Sequence, residues 1–283
     1  MAQPIRRKRT VKKNKPRFFG KWFLVVFSFF LLLIITIGIY KFRDGFLYYL
    51  GFKTDKYANE LSADERKLTD IRIYEVLHKH DNKAIGFDVS EYQSEIDWEQ
   101  TYHIDEAFEL SFVFIRSTAG KDKIDSKFKE NWKAAKERQL IRGAYHYYRP
   151  NENSIEQAEN FIKTVKLQKG DLPPVLDIEK LPKSQSIDSL KVGLRRWLNR
   201  IEKHYKVKPI IYSGESYYTD FLKEEFSEYP LWIANYNFWR NDLESDWQFW
   251  QFTEKAQIEG IKGMVDINIF NGDKNMLLLK CIR

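Results

Sequence analysis

The chain has 283 residues, 47 Lys and Arg against 40 Asp and Glu, 43% hydrophobic side chains and a single Cys. That composition excludes collagen-like, disordered and disulfide-framework proteins and leaves a chain able to bury a core. The net charge of +7 is concentrated: residues 1–21 hold nine basic side chains and no acid, so the rest carries 38 against 40, a net of −2, without the basic surface that nucleic-acid binding needs.

Nineteen residues without a charge follow the basic tail, from Trp22 to Tyr40. As a helix they span roughly 28 Å, close to the thickness of a bilayer's hydrocarbon core. Trp22 and Tyr40 stand where amphipathic rings favour the membrane interface, and the cations before the span outnumber Lys41 and Arg43 after it, which puts the N-terminus in the cytoplasm. A cleaved signal peptide needs a shorter apolar region and a small-residue cleavage site. The exit here is Tyr40-Lys41-Phe42-Arg43. The expectation is a single-pass signal anchor, with the lipid bilayer contacted through residues 22–40 and everything beyond about residue 44 on the extracytoplasmic side.

Residues 41–83 read as a membrane-proximal stalk with one helix, because Ala58 to His80 is highly charged with apolar residues at helix-like intervals. His78 and His80 do not share a helix face and no second ligand cluster accompanies them, so a solvated helix end is expected rather than a metal site. Cys281 alone cannot form an intramolecular bridge and is expected to be a partly buried terminal residue.

From Ala84 on, apolar β-rich runs alternate with turns and amphipathic helices. The runs are Ile85–Val89, Phe112–Ser117, Gly143–Tyr148, Pro174–Ile178, Pro209–Tyr212, Leu231–Asn235, Trp247–Phe252 and Val265–Ile269. Helices are expected at Lys127–Arg138, Ile155–Val165, Ile187–Tyr205 and around Tyr217–Phe226; in the third, Leu190, Leu194, Trp197, Leu198 and Ile201 share a face. Strands alternating with helices imply a parallel sheet, and eight strands over 84–283 imply an α/β fold: an irregular TIM-like barrel with an incomplete helix ring, preceded by one transmembrane helix.

Acids at the ends of these strands carry the chemistry. Strand alternation puts Asp177 and Glu179 on one face of their run, Cα atoms about 6.6 Å apart. The first run supplies Asp88 and the last Asp266, and strands one and eight are neighbours if the barrel closes. Four acids then meet at the C-terminal mouth, where barrel active sites lie. Crowded, partly desolvated carboxylates differ in pKa, giving the protonated acid and the anion that glycosidic cleavage requires. Tyr145, Tyr147, Tyr148, Tyr212, Trp232, Tyr236, Trp239, Trp247 and Trp250 cluster on strands or the loops after them, as sugar-stacking faces do. His146, between tyrosines on a strand, reads as a hydrogen-bonded barrel residue.

These residues resemble the glycoside hydrolase family 25 muramidases, also called Chalaropsis-type lysozymes. The resemblance runs from Gly86 to about Phe270, through Gly86-Phe87-Asp88-Val89-Ser90, Phe112 to Gly120, Gly143-Ala144-Tyr145-His146-Tyr147, Pro174 to Glu179, Trp250-Gln251-Phe252 and Val265-Asp266-Ile267-Asn268. It implies hydrolysis of the β-1,4 bond between N-acetylmuramic acid and N-acetylglucosamine in peptidoglycan glycan strands, with no metal and no cofactor. It further implies that Glu179 is the general acid and base, that Asp177 orients the substrate's acetamido group or attacks directly, and that Asp88 and Asp266 are supporting acids. Tyr145, Tyr212, Trp232 and Gln251 look like sugar contacts, and Tyr147 joins them from the aromatic cluster. Arg116 and Ala119 stand where the family more often has Lys and Glu. A catalytically inactive wall-binding barrel and a hydrolase of another N-acetylated glycan are the alternatives; the intact acid set argues against the first and the single Asp-x-Glu against a chitinase. The sequence names no protein partner.

Overall fold

A computed structural model describes residues 19–54 and 61–283, with side chains placed in 22–43 and 61–283; the basic tail 1–18 and residues 55–60 lie outside the described residues. The chain forms two units, divided between Leu47 and Tyr48. The first holds the part of helix α1 (Phe19–Thr54) that contains a stretch, Trp22–Arg43, long and apolar enough to cross a membrane. Phe23, Leu32, Ile34 and Ile39 are exposed around the whole of it, so it is apolar on every side rather than along one stripe.

The second unit is a closed barrel. All eight apolar runs form strands: β1 (Ile85–Val89), β3 (Phe108–Ala119), β5 (Ile141–Tyr147), β6 (Val175–Asp177), β7 (Ile210–Gly214), β8 (Leu231–Ala234), β9 (Trp247–Ala256) and β10 (Val265–Phe270). Two-residue strands β2 (His103–Ile104) and β4 (Lys123–Ile124) pair with the two ends of β3. The ring runs β1, β3, β5, β6, β7, β8, β9, β10 and back to β1. It departs from the all-parallel expectation at one strand: β10 is antiparallel to both β9 and β1. The connection from β9 to β10, residues 257–264, contains no helix and is too short for a crossover, so the last strand returns as a hairpin partner.

Period-two alternation builds two cores. Phe112, Phe114, Val175, Ile210, Trp232 and Phe249 fill the barrel, while Val113, Ile115, Leu176, Ile178 and Ile211 face outward against the helices. The helices that cover them are α3 (Phe128–Glu137), α4 (Ser154–Thr164) and α5 (Ile187–Tyr205). In α5 the five expected residues, Leu190 to Ile201, are the buried ones, and Ser186 accepts the Ser189 amide proton as N-cap. A run of short helical segments covers Glu215–Phe226, and no helix follows β8 or β9, so the outer ring is incomplete.

The helix expected within 41–83 is present as α2 (Ala63–Lys79), started by a Ser62–Glu65 capping box. It is not a free stalk. Ile73, Val76 and Leu77 are buried in the outer core, and His80, expected at a solvated helix end, is 5% exposed with Nε2 2.9 Å from the Asn241 carbonyl oxygen. The apolar residues of α2 needed a surface to cover, and the barrel supplies it.

Gly86 lets β1 approach β3: a Cβ there lies 2.4 Å from the Phe112 carbonyl oxygen and 2.5 Å from its ring. Gly86→Ala is therefore expected to lower unfolding free energy by ~1–3 kcal/mol or more, as overpacking does. Denaturant unfolding checks it; an unchanged midpoint would show that β1 can move away without cost.

Candidate active site

A cleft of about 600 Å³ opens at the end of the barrel where β1 and β6 terminate. Asp88, Asp177, Glu179 and Asp266 all line it. Asp177 ends β6, and Glu179 follows on the same side with Leu176 and Ile178 turned outward into the core. Asp266 lies directly across the β1–β10 ladder from Asp88. Because β10 runs the other way, Asp266 enters from the start of its strand, not the end as expected.

Asp88 is held most completely. Its Oδ2 accepts from Gln251 Nε2 at 2.7 Å and from Asn268 Nδ2 at 2.8 Å. Each amide is fixed in turn: Gln251 Oε1 accepts the hydroxyls of Tyr212 and Tyr236, both at 2.6 Å, and Asn268 Oδ1 accepts Trp232 Nε1–H at 2.7 Å. Burial pushes the Asp88 carboxyl up to about 7 against those two donors.

Asp177 is 3% exposed and its carboxyl is raised well above the usual range, first by burial, then by the charge of Glu179 and by donating its proton to Glu179. Arg116, held by Asp125 at 2.8 Å and Glu91 at 3.1 Å, is the cation that opposes this rise. Asp177 Oδ1 is buried and accepts no hydrogen bond. Glu179 is reached by solvent along the open cleft yet closely surrounded by protein; its carboxyl is raised by burial, with the hydrogen bond from Asp177 working the other way. Both carboxyls are thus pushed towards their protonated forms, Asp177 by more causes than Glu179. Asp266 is raised strongly, by burial first and then by Asp88, Glu254 and Glu179. Four neighbouring carboxylates cannot all be ionised here.

The expected sugar contacts all line the cleft but differ in what they offer. Tyr145 and Tyr147 are half-buried and present ring surface. Tyr212, Trp232 and Gln251 are 8%, 2% and 3% exposed; the Trp232 ring packs 4.3 Å from Phe114 and 4.5 Å from Tyr212, and both ends of the Gln251 amide bond protein groups. These three form the floor. Sequence reading gave no role to Asn268 or Tyr236 in holding Asp88, nor to Glu254. Glu254 is three residues from Gln251 yet lines the same cleft, because bulges in the β9–β10 ladder break the alternation that would have separated them.

His146 is wholly buried, with Nδ1 2.7 Å from Thr118 Oγ1 and Nε2 3.1 Å from Gln157 Oε1, and burial pushes its pKa down to about 4; it is the structural residue expected. Cys281 is 8% exposed at its terminal position. Among the described residues no group of three or more His, Cys, Asp or Glu side chains is arranged to hold a metal ion.

With this geometry in hand, comparison with known proteins is direct. The sequence model described as "Glycosyl hydrolases family 25" matches residues 87–261. The protein YegX of Escherichia coli K12 is 42% identical over 189 residues, covering 66% of this chain and 69% of its own. Lysozyme M1 of Streptomyces globisporus is 32% identical over 208 residues, covering 68% and 69%. Among solved structures, a family 25 glycosyl hydrolase from Bacillus anthracis superposes with a TM-score of 0.63 at 29% identity, over 71% of this chain and 94% of that one. A bacterial lysozyme from Streptomyces coelicolor gives 0.63 at 28%, over 70% and 97%.

Proposed function

This chain belongs to glycosyl hydrolase family 25, as an enzyme of the lysozyme or muramidase type, and from that membership we propose that it is a membrane-anchored muramidase. On this reading it cleaves the β-1,4 bond between N-acetylmuramic acid and N-acetylglucosamine in peptidoglycan, with Glu179 as acid and then base and Asp177 as the group that engages the substrate's acetamido. One observation carries it: Asp88, Asp177, Glu179 and Asp266, from three separate strands, line a single cleft at the end of the barrel.

Asp177 and Glu179 follow one another on the cleft side of the same strand end. On the proposed route the substrate's acetamido is the internal nucleophile. Its N–H would meet the unpartnered Asp177 Oδ1, an interaction that favours the Asp177 anion and leaves Glu179 as the protonated acid. Glu179 then protonates the leaving oxygen and, once the first sugar departs, takes a proton from water. Asp88 and Asp266 support the pair, Tyr145 and Tyr147 contact sugar rings, and Tyr212, Trp232 and Gln251 shape the floor beneath them.

Purified peptidoglycan digested with the protein should yield fragments with N-acetylmuramic acid at the reducing end, read by mass spectrometry. Reducing-end N-acetylglucosamine would assign a different bond, and intact glycan would point to a wall-binding barrel without activity.

We assign the chain a cytoplasmic tail (1–21), a bilayer span (22–40), a connecting segment (41–83) whose helix α2 packs on the barrel, and a catalytic barrel (84–283). The uncharged span and the charge difference across it support this orientation. Protease added outside cells, or to spheroplasts where an outer membrane intervenes, is expected to release an active soluble fragment while a tag at residue 1 stays protected. A mature protein beginning near residues 41–45 would instead mark the span as a cleaved signal.

A further inference from the structure

Helix α2 lies before the residues matched by the family, yet it is bonded to the rim of the cleft. The loop between β8 and β9, residues 235–246, has no helix of its own, and its backbone turns several oxygens towards α2. Arg72 is 4% exposed and meets that loop at three points: Nη1 donates to Asn241 Oδ1 at 2.7 Å, and Nη2 to the carbonyls of Asn237 at 3.4 Å and Arg240. His80, just past the helix end, adds the contact to the Asn241 carbonyl and sets its ring edge-on to Trp250, 6.3 Å between centroids. Lys79 reaches Asp242 at 2.7 Å.

A buried guanidinium is costly unless its donors are used. An apolar residue would have extended the Ile73, Val76, Leu77 face at no such cost, so what Arg72 adds is specific: a rigid fork that fixes several oxygens of one loop at once. The same loop carries Tyr236, whose hydroxyl bonds Gln251 Oε1, and Gln251 donates to Asp88.

We propose that Arg72 is a positioning residue of the active site: α2 pins the β8–β9 loop so that Tyr236 holds Gln251, and Gln251 holds Asp88. This rests on the reading that Asp88 belongs to the hydrolytic centre. The segment between membrane span and barrel is on this account part of the enzyme, setting the shape of its cleft.

The test uses the full chain in detergent with soluble glycan fragments as substrate. Arg72→Met and Asn241→Ala, the latter on an exposed side chain, should each lower kcat about tenfold, since small displacements of catalytic groups cost that much or more. KM should move less than about twofold, because the sugar-facing rings stay in place. In a Tyr236→Phe background, itself slow, both substitutions should cost little more, as expected of residues acting through one hydroxyl. Arg72→Lys, which lacks the fork, should recover only part of the rate. Wild-type kcat in both Arg72→Met and Asn241→Ala, or losses that add in full to that of Tyr236→Phe, would overturn the tether. A wild-type rate in Tyr236→Phe would also overturn the tether, since Tyr212 would then hold Gln251 alone; failure of the underlying site reading is distinct, because Asp88→Asn would then keep the wild-type rate.

Discussion

Glu179→Gln is expected to lower peptidoglycan hydrolysis by at least ~100-fold, the usual contribution of a positioned general acid. The amide keeps the shape and loses the proton that the proposed acid delivers. The fold should tolerate the change, and the sign can be worked out. Asp88, Asp177, Glu179 and Asp266 all have carboxyls raised in the folded protein, so the folded state binds more protons than the unfolded one. Their contribution to stability is then fully present below the unfolded carboxyl pKa of about 4 and declines as pH rises towards the raised values. Removing one carboxyl relieves part of that decline, so the thermal midpoint of Glu179→Gln near neutral pH should hold or rise while activity falls. Activity assays and calorimetry on the same preparation check both halves. A variant that keeps most of its rate would show that Glu179 is not the acid.

Asp177→Asn should be comparably damaging for another reason. If Asp177 must be an anion to polarise the acetamido, a neutral amide in its place removes that charge and can no longer hand its proton to Glu179. NMR of the first-formed anomer from the unsubstituted enzyme should show retention of the β configuration, and no glycosyl adduct should appear on Asp177 with a slow, activated substrate. A trapped adduct would make Asp177 the nucleophile directly, with configuration still retained. An inverted product would exclude both routes. The unpartnered Asp177 Oδ1 favours the first, because it offers the acetamido N–H a buried acceptor that no protein group already uses.

Much of this centre was legible in the sequence because a barrel turns local patterns into spatial ones. Apolar runs became strands, and the alternation of Val175, Asp177 and Glu179 against Leu176 and Ile178 placed both carboxylates on the side that faces the cleft. What local pattern could not carry was direction, depth and phase. The reversal of β10 follows from a short connection rather than from any residue within the strand. Trp232 and Gln251 were expected as contacts for sugar from the family resemblance, but their burial depends on Phe114, Tyr212 and Asp88 arriving from three other strands. Glu254 escaped because a bulge reset the count. The docking of α2 escaped because Arg72 breaks its apolar stripe in the sequence, and only the distant oxygens of residues 237–241 explain a buried cation there.

The closing strand also fixes when the enzyme can come into being. Asp88 lies early in the barrel, but the two donors that hold it come from Gln251 and Asn268, 163 and 180 residues later. Contacts of such separation form late, after the entropy of closing a long loop has been met. A chain made from its N-terminus therefore presents β1 with its acid unbraced, one edge unpaired, until β9 and β10 have been synthesised and folded back. On the proposed site reading the growing polypeptide is latent until its final strand is in place.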